Sequence, residues 1–356
     1  MKKELGLTIL LVALCLAVCG IELGRELHAG NGWRLPRFLT PANLTNTANL
    51  IGLFGIFSIG LGLVIITGGI DLSVGSMFAL CGVLLSMALT DWHWPWLIAA
   101  LLVVGLPMAL GWGHGALVTR MKIQPFIVTL CGLLLYRGLA RFIAGDVTKG
   151  FGSSEGFELL RDLARGKLLG IPMPFIYLII ISVVMWFILH RSIYGRYLLA
   201  VGRNPEATRF SGINTRMVIS SSYVLAGLLT GISGVLFAFY TNSISPSTHG
   251  NFYELYGIAA AVLGGCSLRG GEGSIIGIVI GTALLQVLQN LVNLLNIPSS
   301  LNFAVMGAVV LIGVLADQIL QKRTAKKLAQ ASAISAATAS EQPPKPQQPA
   351  ASPTIP

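Results

Sequence analysis

Charged residues are scarce in this chain of 356 residues: 11% are Asp, Glu, Lys or Arg, against about 25% in ordinary soluble domains. Hydrophobic residues make up 54% of the chain, and the mean hydropathy is +0.76. So few polar side chains cannot cover the surface of a water-exposed protein. The composition therefore excludes a soluble enzyme or a disordered chain for the body of the sequence, and it predicts a polytopic membrane protein.

Motifs of catalysis, nucleotide binding and metal binding are also missing. There is no G-x-x-x-x-G-K-[ST], no G-x-S-x-G and no H-E-x-x-H. The five histidines are isolated, and the five cysteines are odd in number and lie in or beside apolar stretches. The net charge of +10 comes from basic residues scattered through short loops, which indicates membrane orientation and not nucleic-acid binding. We expect no catalytic residues, no metal, no cofactor and no nucleic acid.

Long apolar runs take the place of these motifs. A spanning helix needs about 20 mostly apolar residues, and the runs lack the period-2 alternation of a membrane barrel. The sequence therefore predicts an all-α protein with about ten transmembrane helices. The expected spans are 5–23, 46–67, 73–90, 95–118, 123–144, 173–190, 218–240, 256–268, 274–294 and 300–320.

The distribution of Lys and Arg predicts the orientation. An even number of spans puts both termini on one side, and a cytoplasmic N-terminus places 15 of the 24 Lys and Arg residues inside, as the positive-inside rule requires. The permease domain then covers 1–328, with an outer loop at 145–172 that carries a short amphipathic helix over 156–168. The largest inner loop is 190–217. The Ala-, Ser-, Pro- and Gln-rich tail, 329–356, is expected to be disordered and cytoplasmic.

An acidic residue interrupts two apolar runs within residues 62–76. Gly68 and Gly69 let the backbone bend, Asp71 follows, and a new run begins after Ser73. An acidic side chain at the centre of a membrane helix costs about 2.5–3.5 kcal/mol. In one interpretation, Asp71 or Ser73 caps the helix that follows in a tight turn. In the other, these four residues line or gate a solute pathway, because irregular backbone at membrane depth is tolerated where it faces a cavity.

A second stretch, 264–274, has a similar order of Gly-Gly, a polar residue, Leu and a later Gly-Ser. The predicted topology places both turns on the inner side. They are either related elements of an internal duplication or two solutions to the same demands of a tight turn.

The inner loop contains a short predicted helix with signals at both ends. Asn204 suits the N-cap, Pro205 the first position and Glu206 the first turn. Gly212 suits the stop. Phe210 and Ile213 would lack cover in an isolated two-turn helix, so we expect either a cytoplasmic partner or membrane headgroups to cover them.

Polar side chains recur on one face of the ninth predicted span. Gln286, Asn290 and Asn293 are spaced i, i+4 and i+7. They either hydrogen-bond to neighbouring helices or line a wet path. His114, in a Gly-rich apolar stretch, is expected to form an interhelical hydrogen bond.

Two of these stretches resemble a known family. Residues 64–76, Val-Ile-Ile-Thr-Gly-Gly-Ile-Asp-Leu-Ser-Val-Gly-Ser, resemble the signature of permease subunits of bacterial ribose-type (monosaccharide) ABC importers. Residues 195–213 resemble the cytoplasmic coupling segment of the same family, with Thr208 in place of its second Ala and Arg203 where Gly is common. The resemblance covers roughly 40–320. Segment 24–42 and the tail match no feature of the family, and the related branched-chain amino-acid permeases lack the Gly-Ile-Asp-Leu-Ser form.

The resemblance implies a type II ABC importer fold that works as a pair of permeases, identical or paralogous, in the bacterial inner membrane. It implies a separate cytoplasmic ABC ATPase, a periplasmic sugar-binding protein and a ribose-like sugar as solute. The implied mechanism is alternating access, and the implied ATPase-coupling residues are Asn204, Pro205, Glu206, Ala207, Thr208 and Gly212. The alternative is a secondary transporter driven by an ion gradient at Asp71. A single carboxylate with no intramembrane Lys or Arg partner makes that account the poorer one.

Overall fold

The computed structural model describes residues 2–28, 35–152 and 155–295, with the isolated positions 297, 298, 301, 304, 305, 307, 308 and 311. Residues 1–306 form one compact unit and 307–356 another, of which three positions are described. Most of the predicted tenth span, 300–320, lies outside the described residues, and the predicted disordered tail lies wholly outside them. Below, "inner" and "outer" refer to the predicted topology.

Helices dominate the described part of the chain. They are α1 (Lys2–His28), α2 (Pro41–Ile66), α3 (Val74–Thr90), α4 (Trp96–Arg120), α5 (Pro125–Ala144), α6 (Glu158–Arg165), α7 (Met173–His190), α8 (Ile193–Arg203), α9 (Pro205–Phe210), α10 (Thr215–Thr241), α11 (Tyr253–Leu263) and α12 (Ile275–Leu294). Among these, α1, α2, α4, α5, α7, α10 and α12 are long and apolar enough to cross a membrane. The prediction of a helical, polytopic membrane protein is confirmed.

Helices α2, α3 and α10 form the centre of the bundle, and 14 of the 17 residues of α3 are buried. The most apolar stretch of α2 is 83% buried and that of α10 is 67% buried, against 22% in α4 and in α7. Helix α2 is apolar on all sides, as expected for a helix surrounded by other helices. Helix α10 packs closely on α4, where Gly227 lies against the Pro107 backbone. Small residues at such contacts let the backbones of membrane helices approach.

Helices α3 and α11 are shorter than a full span, and they begin inside the bundle. Near the outer end of α3, the Ser86 Oγ donates to the Gly150 carbonyl of the outer loop at 2.9 Å. Eleven residues earlier, Gly75 packs against Gly250 and Glu254 at the start of α11. At 1.5 Å per residue this separation is about 16 Å, half of a hydrocarbon layer of about 30 Å. The first turns of the two helices therefore meet near half depth.

The bounds predicted for the eighth span, 256–268, are wrong. Helix α11 has 11 residues, from Tyr253 to Leu263, and so extends for about 16 Å. It ends where the chain turns at Gly264 and Gly265, with Gly265 at a φ of 92°. The preceding segment, 245–252, returns from the outer end of α10 to half depth. Hydropathy alone did not reveal this return.

Small elements cover the outer end. Strands β1 (Lys149–Gly150) and β4 (Ser243–Ile244) pair antiparallel, as do β2 (Lys167–Leu168) and β3 (Ile171–Pro172). The amphipathic helix predicted within 156–168 is α6, whose Leu160 and Ala164 are buried.

Candidate coupling and translocation site

The short helix predicted in the inner loop is present as α9. The Asn204 Oδ1 accepts from the Ala207 backbone N–H at 2.9 Å, and Pro205 occupies the first helical position. The Thr208 side chain is buried and donates to the Asn204 carbonyl at 2.8 Å. Gly212 has a φ of 83°, the left-handed conformation that ends a helix. Both predicted end signals are confirmed.

One face of α9 is open. Phe210 is 81% exposed, and the Arg209 guanidinium lies 5.5 Å from its ring centroid. Glu206 is exposed as well. The expectation that Ile213 lacks cover is wrong, because the chain turns at Gly212 into α10 and carries Ile213 onto the main hydrophobic core. The exposed apolar surface of this segment is therefore Phe210.

The helix before α9 packs directly onto both Gly-Gly turns. Gly202, near the end of α8, lies against the Ile66 carbonyl at the end of α2 and against Gly271 in the second turn. The Gly271 backbone N–H donates to the same Ile66 carbonyl at 2.8 Å. The two stretches of similar sequence therefore meet in space, and the segment that carries α9 holds them together. We call Gly202, Ile66 and Gly271 the junction.

The acidic residue of the first turn is buried. Asp71 is 3% exposed, and its Oδ1 accepts from the Ser73 backbone N–H at 2.8 Å and from the Ser73 Oγ at 2.6 Å. Gly68 has a φ of 82°, and a Cβ on Gly69 would lie 2.6 Å from the Tyr223 hydroxyl oxygen. Ser73 precedes the first residue of α3 without a side-chain cap bond. Asp71 thus closes the turn before the helix and does not bond to N–H groups of its first turn.

Three aromatic or imidazole side chains surround this carboxylate. The His114 Nδ1 lies 4.0 Å from the Asp71 Oδ2, and the His114 Nε2 is 2.8 Å from the Tyr136 hydroxyl oxygen. The interhelical hydrogen bond expected for His114 is thus confirmed, between α4 and α5. The ring of Tyr223, from α10, stands edge-on to that of His114 with centroids 6.3 Å apart. The His114 Nδ1 and the Tyr223 hydroxyl are buried without a hydrogen-bond partner among the described residues.

A second polar group, the half-buried Arg137 and the buried Glu254, escaped the sequence analysis. Arg137 of α5 donates to the carbonyls of Pro246 at 3.1 Å, His249 at 2.7 Å and Gly75 at 3.3 Å. Glu254, 6% exposed, packs against the same Gly75. The expectation of one carboxylate and no intramembrane Arg is therefore wrong. The available signals were two Arg residues, Arg137 and Arg141, inside one apolar run and an acid just before a short apolar one.

The three polar residues of α12 have different environments. The Asn290 amide donates to the Asn43 Oδ1 at 2.7 Å and to the Thr47 Oγ1 at 3.1 Å, so it joins α12 to α2. Gln286 is 2% exposed and its Oε1 has no partner in the described part of the chain. Asn293 is exposed. Interhelical bonding explains Asn290, whereas Gln286 and Asn293 lack such an explanation.

Long apolar helices, two shorter helices whose first turns meet near half depth and a capped inner helix define a multi-pass membrane permease. A family model described as the permease component of branched-chain amino acid transport systems matches residues 43–314, and the chain belongs to this family.

Curated relatives are named as sugar permeases. The ribose import permease protein RbsC of Bacillus subtilis (strain 168) is 39% identical over 80% of this chain and 87% of its own length. The L-arabinose ABC transporter permease protein AraH of Azospirillum brasilense is 36% identical over 80% and 82%. The D-allose transport system permease protein AlsC of Escherichia coli (strain K12) is 31% identical over 80% and 86%. No solved structure matches the chain.

Proposed function

We propose that this chain is the transmembrane subunit of an ATP-binding cassette importer, which moves a monosaccharide across the bacterial inner membrane by alternating access. The names of the relatives support sugar as the solute. Ribose is the first choice because the ribose permeases of B. subtilis and E. coli are 39% and 38% identical to this chain. The observation that carries the proposal is the junction, where the helix preceding α9 contacts both inner turns.

The ATPase docks on the open face of α9. Phe210 supplies an exposed aromatic anchor, flanked by Glu206 and Arg209 on the same short helix. Exposed aromatic groups of this kind are typical anchors of protein interfaces. The ATPase hydrolyses ATP, a periplasmic binding protein delivers the sugar, and a second permease copy, identical or paralogous, completes the path. Both termini lie in the cytoplasm, and the fold is type II with about ten spans.

Motion of α9 reaches the gate through rigid contacts. Helix α8 immediately precedes α9 in the chain, with only Asn204 between the two helices, so α8 moves when α9 moves. A displacement of α8 at Gly202 moves the Ile66 carbonyl and Gly271 together, since backbone meets backbone there without a flexible side chain between. Packed elements with two arrangements are the physical basis of such coupling.

The gate is formed by the shorter helices α3 and α11 and by the turn before α3. Gly68, Gly69, Asp71 and Ser73 make the inner turn, and Asp71 is held among polar side chains from α4 and α10. Discontinuous helices at half depth are typical of solute pathways. Gln286 and Asn293 remain candidates for the path, and Asn290 positions α12 against α2.

Two substitutions in the coupling segment test the proposal. Glu206→Lys reverses the charge on the docking face, and Gly212→Pro is incompatible with a φ of 83°, since proline fixes φ near −65°. We expect both variants to insert normally, to bind the ATPase at least tenfold more weakly and to lose ATP-dependent sugar uptake in proteoliposomes. Glu155→Lys, an exposed charge reversal in the outer loop, is the matched control and should behave as wild type. Normal transport by both coupling variants would refute the coupling role.

Ion-driven transport at Asp71 is the alternative. The buried Glu254 and the half-buried Arg137 supply the additional charges that it would need. Asp71→Asn distinguishes the two accounts, because an ion-driven carrier would lose its dependence on the ion gradient. An ABC importer would instead keep uptake that follows ATP and not the gradient.

A further inference from the structure

An apolar groove opens on the flank of the bundle, below the amphipathic helix α6. Its volume is about 310 Å³, at the lower end of the 300–1,000 Å³ usual for ligand pockets. Four helices contribute its walls, and Tyr177 is the only lining side chain with a polar atom. The walls include Ala100 of α4, Leu160 of α6, Ile180 of α7 and Ile232 of α10.

The groove lies at one depth on all three long helices. The lining residues stand four to eight positions after the first residue of α4 and of α7, and five to nine before the last residue of α10. At 1.5 Å per residue they lie roughly 6–14 Å below the outer ends of these helices. That depth is within the outer half of a hydrocarbon layer of about 30 Å. Water at this depth would find at most one polar partner in the lining, the Tyr177 oxygen, whose hydrogen is donated to the Leu163 carbonyl at 3.0 Å. A bound water needs two to four such partners.

Basic and apolar groups lie together directly above the groove. Arg165 ends α6 and Lys167 begins β2, and both side chains are exposed. The hairpin that follows exposes Leu168, Leu169 and Ile171, with Leu169 94% exposed. Exposed apolar side chains beside cationic ones are typical of a surface in the headgroup region. Arg and Lys at this height suit a phosphate group.

We propose that the groove is a binding site for one phospholipid of the outer leaflet, with an acyl chain between α7 and the α4–α10 pair and its phosphate at Arg165 and Lys167. The acyl chain fills the space between the helices. At its outer end, α6 bridges this space through contacts with both α7 and α10. Hydrocarbon in this space supplies the dispersion contacts that an empty groove would forfeit. A phospholipid with an anionic headgroup is preferred, because three cations in α6 and β2 (Arg161, Arg165 and Lys167) outnumber two carboxylates (Glu158 and Asp162).

Native mass spectrometry of the purified chain, after exchange into detergent with phosphatidylglycerol or phosphatidylethanolamine, tests the site without requiring transport. Wild type is expected to retain about one phospholipid per chain. Ile180→Trp fills the groove and should lower that occupancy at least fivefold, and Ala100→Trp, on the opposite wall, should do the same. Val183→Trp is the control, because Val183 lies on the same helix, is 63% exposed and does not line the groove. Val183→Trp should retain the lipid.

The headgroup assignment has its own readout. The double substitution Arg165→Ala and Lys167→Ala should remove the preference for phosphatidylglycerol while an acyl chain is still retained, and Lys122→Ala, exposed on the inner side, should leave that preference intact. The proposal is overturned if wild type retains no phospholipid, or if the groove and control variants lose it equally. Loss of a chain dimer in the groove variants, without any lipid in wild type, would assign the groove to a second copy instead.

Discussion

Adding a single methyl group at Gly202, by the substitution Gly202→Ala, should disrupt the contact between the coupling segment and the gate. A Cβ there would overlap the Ile66 carbonyl and the Gly271 N–H, and would lie 3.0 Å from the Gly271 Cα. All three atoms belong to the backbone, so no side chain can rotate away. Overpacking of this kind costs about 1–3 kcal/mol. The Gly271 to Ile66 hydrogen bond, worth about 0.5–1.5 kcal/mol, is lost as well. The sum for Gly202→Ala is roughly 1.5–4.5 kcal/mol, from the same two ranges.

Thermal unfolding in detergent and transport in proteoliposomes together measure this effect. With an unfolding entropy of about 2.1 cal/mol/K per residue, 1 kcal/mol shifts the Tm of a chain of 356 residues by about 1.3 °C. We therefore expect Gly202→Ala to melt about 2–6 °C below wild type. ATP-driven uptake should fall more than tenfold while the ATPase still binds α9, because the docking face is unchanged. Gly113→Ala is the matched control: it lies inside α4 with nothing within 4 Å of the added methyl, and should be neutral or slightly stabilising. Equal Tm values and equal uptake for the two variants would refute the tight junction.

Two further substitutions test the tethers at half depth and at the outer end. Arg137→Gln removes donors to three carbonyls, so it should lower the free energy of unfolding by about 2–3 kcal/mol and decrease Tm by several degrees. The control Arg141→Gln, one turn away and exposed, should change Tm little. Equal effects of the two substitutions would contradict the tether at Arg137. The hydrogen bond from Lys149 holds the pKa of Asp91 below its usual range, so the pair stabilises the fold at neutral pH and the gain disappears as the pH falls below about 4. Lys149→Ala should therefore destabilise slightly at pH 7 and not at low pH, and a pH-independent effect would show that the pair is not responsible.

Local signals predicted the parts of the site that depend on neighbours in sequence. The cap at Asn204, the stop at Gly212 and the bend at Gly68 each follow from the backbone preferences of one or two residues. The carboxylate of Asp71 was found because an acid between two apolar runs is costly to insert. These features need no knowledge of the remaining fold.

Contacts between distant residues were not predictable in this way. Arg137 is separated from His249 by 112 positions, and Glu254 from Gly75 by a longer interval. Hydropathy gives the length of an apolar run but not its depth, so the short run 256–268 was counted among the spans although α11 begins near half depth. Ile213 was expected to be uncovered because the sequence does not show which way the chain turns after Gly212.

The most direct measurement is sugar uptake by proteoliposomes that contain this chain, the partner ATPase and the binding protein, with ATP and the ion gradient varied separately. If the chain is a conduit driven through α9, ribose uptake requires hydrolysable ATP and is unchanged when an uncoupler collapses the gradient. Uptake that continues without ATP and stops with the uncoupler would contradict the account.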